Sequence, residues 1–182
     1  LLWTSLATGY RADRHGLHSP LRVDRERGVL PASSLDRRTP ALWNLLSERG
    51  LATHVVGWPY AHPAEPVRGA VVSELAGWVT GERESPDPPV PGSVHAGDAA
   101  DELADLRIQP AELGLDDLVW FVPEAHAIDQ AQDRMLAEIA TALARCTTVH
   151  AAATRLLENP AADLTMVCYD LLDLLGPRFL SL

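Results

Sequence analysis

Histidine, cysteine and acidic residues, the types that hold metals or act as nucleophiles, occur throughout the chain without a recognised grouping. Cys146 and Cys168 belong to no Cys-x-x-Cys or Cys/His ligand spacing. The acidic run of Asp98, Asp101 and Glu102 is typical of a solvated surface rather than a metal site. No GxSxG, Walker or GxGxxG motif occurs. The histidines that show no HxH or HxxxH grouping are His18, His54, His62, His95, His126 and His150.

The two cysteines each lie in an apolar stretch, which favours buried free thiols. A disulfide between them is the alternative if the protein is exported.

The charge of the chain argues against a nucleic-acid partner. The net charge is −10 over 182 residues, and all 15 basic residues are arginine. The first 50 residues are net positive and the remainder is strongly acidic. The arginine-rich stretch Arg22–Arg38 is interrupted by acids, so it is interpreted as a solvated loop rather than a phosphate patch.

The elements that must position any site alternate between helix and strand. Trp3–Thr8 begins as an apolar segment that runs to Gly9, a helix-stop signal. Thr39 and Pro40 predict the N-cap and first residue of a helix that ends at Gly50. His54–Trp58 and Gly69–Ser73 are predicted to be short strands.

The second half of the chain continues this pattern. The apolar spacing over Asp129–Leu157 predicts a long helix ended by Asn159-Pro160, with Glu138, Arg145 and Arg155 available to solvent. Leu164–Tyr169 is typical of a buried parallel strand. An exposed, proline-rich loop is predicted at about 81–97. These elements predict an α/β fold with a mostly parallel sheet in a single domain.

Five segments carry a resemblance to a known family: LWTSLATG (2–9), RHG (14–16), ALWNLLSERGL (41–51), VVGWP (55–59) and PAEPVRG (63–69). They resemble the type I phosphodiesterase/nucleotide pyrophosphatase group of the alkaline-phosphatase-like superfamily. The resemblance implies a partial α/β/α sandwich and a two-metal hydrolysis of small-molecule phosphoesters. In such chemistry a hydroxyl attacks phosphorus, and two zinc-like ions stabilise the attacking and leaving oxygens.

The resemblance also implies that the catalytic hydroxyl is not among these residues. Relatives carry a Ser or Thr four positions before the tryptophan that matches Trp3. In this chain the position of that hydroxyl falls two residues upstream of Leu1. The remaining hydroxyls, Thr4, Ser5 and Thr8, match helix positions behind the nucleophile. His15 matches a structural motif, so we expect it to fix the loop after the first helix by a hydrogen bond.

A second metal motif is matched only in part. The run Tyr169–Phe179 aligns with the family pattern Tyr-Asp-x-x-Asp-x-x-x-His, which places Asp173 at a metal-binding aspartate. Pro177 stands where the histidine ligand is expected, and proline has no lone pair for a metal. The alternative interpretation of Asp173 is an exposed acid at a helix N-terminus.

His62 lies in a loop that, in relatives, lines the active-site region, so it is the candidate substrate contact. We therefore expect a divergent or truncated phosphoester hydrolase that, as this chain alone, binds no tight metal and is inactive. The alternative is a non-catalytic remnant or a protein-interaction module. An oligomer that covers open sheet edges is a further expectation. No membrane partner is expected, and a cytoplasmic location is slightly favoured because no signal or membrane segment is recognised.

Overall fold

The centre of the fold is a sheet built from the β-branched runs of the sequence. The computed structural model describes residues 2–78, 88–129, 133–158 and 162–179. Four strands form this sheet in the order β5-β4-β3-β6; β3 is parallel to β4 and β6, and β5 is antiparallel to β4. The predicted α/β fold with a mostly parallel sheet is confirmed. The strands are β1 (Leu21–Asp24), β2 (Gly28–Pro31), β3 (Thr53–Trp58), β4 (Gly69–Ser73), β5 (Val94–His95) and β6 (Leu164–Val167).

Helices cover both faces of the sheet. Alternate strand residues point to opposite faces, so Val55 of β3 packs with Ala7 and Trp43, whereas Val56 packs with Leu103 and Val149. The helices are α1 (Leu2–Thr8), α2 (Ala12–His15), α3 (Leu42–Glu48), α4 (Ala100–Asp105), α5 (Leu115–Leu118), α6 (Met135–Leu157) and α7 (Leu171–Phe179). Thus α1 and α3 lie on one face, and α4 and α6 on the other.

The long helix α6 extends past the sheet. Its C-terminal half packs on β3 and β4 through residues such as Val149 and Leu156. Its N-terminal half forms a separate apolar core, in which Leu136 and Ile139 contact Leu118 of α5 and Ala125. This separate apolar core therefore lies beyond the ends of the strands, and α6 joins it to the sheet.

The strand β6 corrects one sequence expectation. It is parallel to β3, as predicted, but all four of its residues are half-buried rather than buried. Within the described residues it pairs only with β3, so it is an edge of the sheet. An apolar run therefore predicted the strand correctly but not its position in the sheet.

The prediction that Arg22–Arg38 forms a loop was wrong about the secondary structure of this segment. β1 and β2 form an antiparallel hairpin, followed by a 3-10 turn at Ser34–Asp36. Asp24 closes the hairpin, because its Oδ1 accepts the backbone N–H groups of Glu26 and Arg27 at 3.0 and 2.9 Å. The hairpin is nevertheless solvated, as Val23 is 83% exposed.

Helix boundaries differ from prediction in two places. The N-cap of α3 is Ala41, not Thr39, and the Asn44 side chain accepts the Ala41 N–H at 2.8 Å. The helix α6 begins at Met135 rather than Asp129, because an Asp133 carboxylate accepts the Met135 N–H.

The predicted loop at about 81–97 is described only in its second half. There β5 and a 3-10 turn at Gly97–Ala99 follow one another, so this half is not wholly a loop. Residues 81–87 and the Asn159-Pro160 helix end lie outside the described residues.

Candidate functional site

The carboxyl ends of the parallel strands meet at one edge of the sheet, which we call the carboxyl edge. β3 ends at Trp58, β4 at Ser73 and β6 at Val167. Loops that follow parallel strands are where α/β proteins bind ligands, since the strand order brings side chains from several strands together there. His62 and Asp173 both follow strands that end at this edge.

The start of α1 also lies at the carboxyl edge. The indole N–H of Trp58 donates to the carbonyl of Trp3 at 3.3 Å, and the two indoles meet edge to face with centroids 5.4 Å apart. Because Trp58 is the last residue of β3, this contact places the first turn of α1 beside the strand ends.

His62 lies in the connection from β3 to β4 and faces the end of β4. Its Nδ1 is 3.4 Å from the hydroxyl of Ser73, and burial lowers the pKa of its imidazole. Its backbone carbonyl accepts the Ser34 N–H at 2.7 Å. Ser73 is only 1% exposed, so this weak pair is an internal contact rather than an accessible nucleophile and base.

Glu74 is the acid at the carboxyl edge that the sequence did not single out. Its two carboxylate oxygens accept the backbone N–H groups of Tyr60 and Ala61, at 3.0 and 3.1 Å. Tyr60 adopts a left-handed φ of 64°, which turns the loop back toward Glu74. Burial raises the pKa of this carboxyl despite those hydrogen bonds. In the sequence, the signal that could have identified Glu74 was its position directly after an apolar strand.

Arg145 corrects the prediction that this residue faces solvent. Its Nη2 donates to Oδ2 of Asp170 at 2.7 Å, and its side chain is only 16% exposed. The guanidinium carbon lies 5.2 Å from the Trp78 ring centroid. Arg145 and Glu74 line a space of about 10 Å³, which is about the size of one water. This cation is therefore neutralised within the fold.

The thiols do not supply a nucleophile at this edge. Both are free, and Cys168 is buried. Burial, together with the charges of Asp170 and Asp173, raises the pKa of Cys168 to about 11. Burial also raises the pKa of Cys146. Both groups are therefore thiols at neutral pH, as expected for structural cysteines.

Asp173 lies in the first turn of α7 and is exposed, as its helix N-terminal interpretation predicts. Pro177 follows one turn later on the same exposed side. Among residues 2–78, 88–129, 133–158 and 162–179, no three His, Cys, Asp or Glu side chains are placed to share a metal ion. One exposed carboxylate followed by a proline does not fit a pair of zinc-like ions.

The PAEPVRG segment is used for structure. Glu65 Oε2 accepts from Nη2 of Arg37 at 2.5 Å and from the indole N–H of Trp43 at 2.9 Å. Arg37 is 5% exposed at its side chain and also donates to Asn44. These bonds tie the segment after β2, the helix α3 and the β3–β4 loop into one unit.

The structure thus brings some candidates to one edge without bringing them together. His62 follows β3 and faces the end of β4, whereas Asp173 follows β6, which lies on the other side of β3. The contacts that do form join Glu74 to the β3–β4 loop, and Arg145 to Asp170.

No protein-family model, curated protein or solved structure matches this chain. Among the helices of the described residues, none has the length and apolar character needed to cross a membrane.

Proposed function

We propose that this chain is a divergent or truncated member of the two-metal phosphodiesterase group, with an alkaline-phosphatase-like arrangement of its sheet and helices. We also propose that residues 1–182 alone bind no metal ion tightly and have no phosphoesterase activity. The single observation that carries it is the Trp58–Trp3 hydrogen bond, which places the start of α1 at the carboxyl edge. In the proposed family, the nucleophile precedes this helix at that edge.

A second observation supports the proposed alignment of Asp173. The Asp-x-x-x-His spacing of the family places both ligands on one side of a helix, one turn apart. Asp173 and position 177 have this relation in α7, next to the end of β6. The identity of residue 177, and not its placement, is what departs from the proposed pattern.

The alternative function is a non-catalytic remnant or an interaction module. It is favoured by the pairing of Arg145 with Asp170, which neutralises the buried cation at the carboxyl edge. A phosphoester would have to compete with this carboxylate for the guanidinium.

Zinc content and hydrolysis of bis(p-nitrophenyl) phosphate test the proposal in the purified 182-residue protein. We expect no stoichiometric zinc after dialysis and no hydrolysis above the buffer rate with zinc added. Stoichiometric zinc with turnover would overturn the inactive assignment.

Pro177→His tests whether Asp173 occupies a ligand position. The variant should gain zinc affinity in competition with a chromogenic chelator, because a carboxylate and an imidazole then lie one helical turn apart. Pro177→Ala is the matched control, since it makes the same change to the helix without adding a ligand. Asp173→Asn in the Pro177→His background should abolish the gain; an unchanged affinity there would contradict the assignment.

A further inference from the structure

The hairpin of β1 and β2 turns an apolar face to solvent. Leu21 is paired with Pro31 and Val23 with Val29, and residues that are directly paired, or two apart along a strand, share one face. All four are exposed, and Val29 is 63% exposed. We call these four residues the hairpin face. Apolar side chains grouped on a solvated two-stranded ribbon indicate a surface that a partner covers.

The opposite face of the hairpin is largely polar and lies toward the rest of the chain. Its residues Arg22, Asp24 and Leu30 are half-buried. Arg22 forms an ion pair with Asp36 of the following 3-10 turn, with Nε 3.2 Å from Oδ1. A two-stranded sheet that buried its apolar side chains against its own protein would have the reverse orientation. The orientation seen here leaves the hairpin face for a partner.

The turn after α5 presents a second apolar surface. Trp120 and Phe121 are 86% and 52% exposed, and we call these two residues the aromatic turn. Its backbone is held in place, because the N–H groups of Phe121 and Val122 both donate to the Leu118 carbonyl at 2.9 Å. Leu118 itself is buried against the N-terminal half of α6. The two aromatic side chains are therefore displayed on an anchored turn.

The two surfaces carry opposite charge. Arg25 and Arg27 flank one glutamate at the exposed tip of the hairpin. Residues 108–133 contain no arginine or lysine. The exposed acids around the aromatic turn are Asp116, Asp117 and Glu124. His126 lies 3.7 Å from Asp116 and offsets that charge only when it is protonated.

We propose that the hairpin face of one copy of this chain docks on the aromatic turn of a second copy. The valines and leucine of the hairpin face then cover the aromatic rings, and the arginines of the tip meet carboxylates at the rim. Charges are screened beyond about 8 Å at physiological ionic strength, so these local charges act on the contact more than the net charge of −10 does. Neither surface includes His62 or Asp173, so the inference does not depend on the proposed phosphoesterase ancestry.

A mixture of two variants tests whether these unlike surfaces meet. Val23→Glu places an acid on the hairpin face, opposite the acids of the aromatic turn, and Trp120→Ala truncates the aromatic turn. In sedimentation equilibrium the wild type should self-associate, and each variant alone should associate at least about tenfold more weakly. An equimolar mixture should regain association, because each variant keeps the surface that the other has lost. Regained association also shows that both variants are folded.

Leu172→Glu is the matched control for Val23→Glu. Both residues are 83% exposed and the change in charge is the same, so the association of this control should equal that of the wild type. A wild type that stays monomeric up to about 1 mM would overturn the proposal. So would a mixture that associates no better than its components, or an association that neither variant weakens, which would belong to another surface such as the edge strand β6. Binding of a monomeric wild type to anionic phospholipid vesicles, lost in Val23→Glu, would assign the hairpin face to a lipid surface instead.

Discussion

His15 shows how a residue type suited to catalysis is used here for structure. It is completely buried, with Nε2 3.1 Å from the Ser5 hydroxyl and Nδ1 accepting the Leu17 N–H at 3.2 Å. Burial is the main cause that lowers its pKa, so the ring stays neutral. The predicted hydrogen bond that fixes the loop after the first helix is confirmed.

Glu74 is expected to make folding stability depend on pH. Burial raises the folded pKa of its carboxyl above the ordinary value of 4.5, so the folded state binds this proton more tightly than the unfolded state does. Relative to Glu74→Gln, the wild type should therefore be most stable below about pH 4.5 and lose stability as the pH rises through the folded pKa. Denaturant unfolding of both proteins from about pH 4 to about pH 8 measures this difference.

The exposed change Glu48→Gln controls for the loss of one negative charge in that experiment. A stability difference between wild type and Glu74→Gln that stays constant with pH would show that Glu74 titrates alike in both states.

At the scale of elements, the end of β3 depends on a close approach between strand and helix. The register between β3 and β4 shifts between Val56 and Trp58, and Gly57 lies there with a φ of 68°. A Cβ at this position would lie 2.6 Å from the Cys168 carbonyl oxygen and 3.0 Å from a Val149 methyl carbon. Glycine thus lets β3, the segment after β6 and α6 meet at the carboxyl edge.

Gly57→Ala and Gly176→Ala should change stability in different directions. Gly57→Ala should cost at least about 2 kcal/mol, because it combines a left-handed backbone with a steric clash. Gly176 lies in α7, where a Cβ would meet no described atom within 4 Å, so its replacement should be neutral or stabilise by up to about 1 kcal/mol. Denaturant titration of both variants measures their free energies of unfolding. Equal changes in this free energy for the two variants would contradict the close approach at Gly57.

At the scale of the whole molecule, α6 connects two apolar regions whose described core residues are separate. One consists of the two layers on either side of the sheet, and the other is the cluster around Leu118, Leu136 and Ile139. Such an arrangement favours local unfolding of the smaller region while the sheet stays intact.

Leu136→Ala should therefore act locally. Leu136 is 2% exposed, and its truncation should cost about 3 kcal/mol within its cluster. Hydrogen exchange should rise most in α5 and the N-terminal half of α6, with little change in β3 and β4. Val56→Ala, in the core between the sheet and α6, is the matched change and should raise exchange in the strands. Uniform acceleration by Leu136→Ala would mean that the molecule unfolds as one unit.

The edge strand β6 bears on assembly. Its apolar sequence and half-buried residues agree with the expectation of an oligomer that covers open sheet edges, which stays a prediction. Sedimentation velocity of the purified chain tests it directly.

The amino-acid sequence by itself determined the local elements. The β-branched runs at 53–58 and 69–73 specify strands, and the apolar spacing over 135–157 specifies a helix, because these patterns act over neighbouring residues. It also favoured free thiols over a disulfide, and the structure confirms that both thiols are free.

The tertiary structure decided which side chains are partnered. Arg145 has the sequence position of a solvent-facing helix residue, but it meets Asp170 and Trp78 because β6 and the end of β4 pack beside α6. The raised pKa of Glu74 arises likewise from burial between elements of the fold. Periodicity fixes which face a residue occupies, whereas desolvation and pairing depend on what the fold places opposite that face.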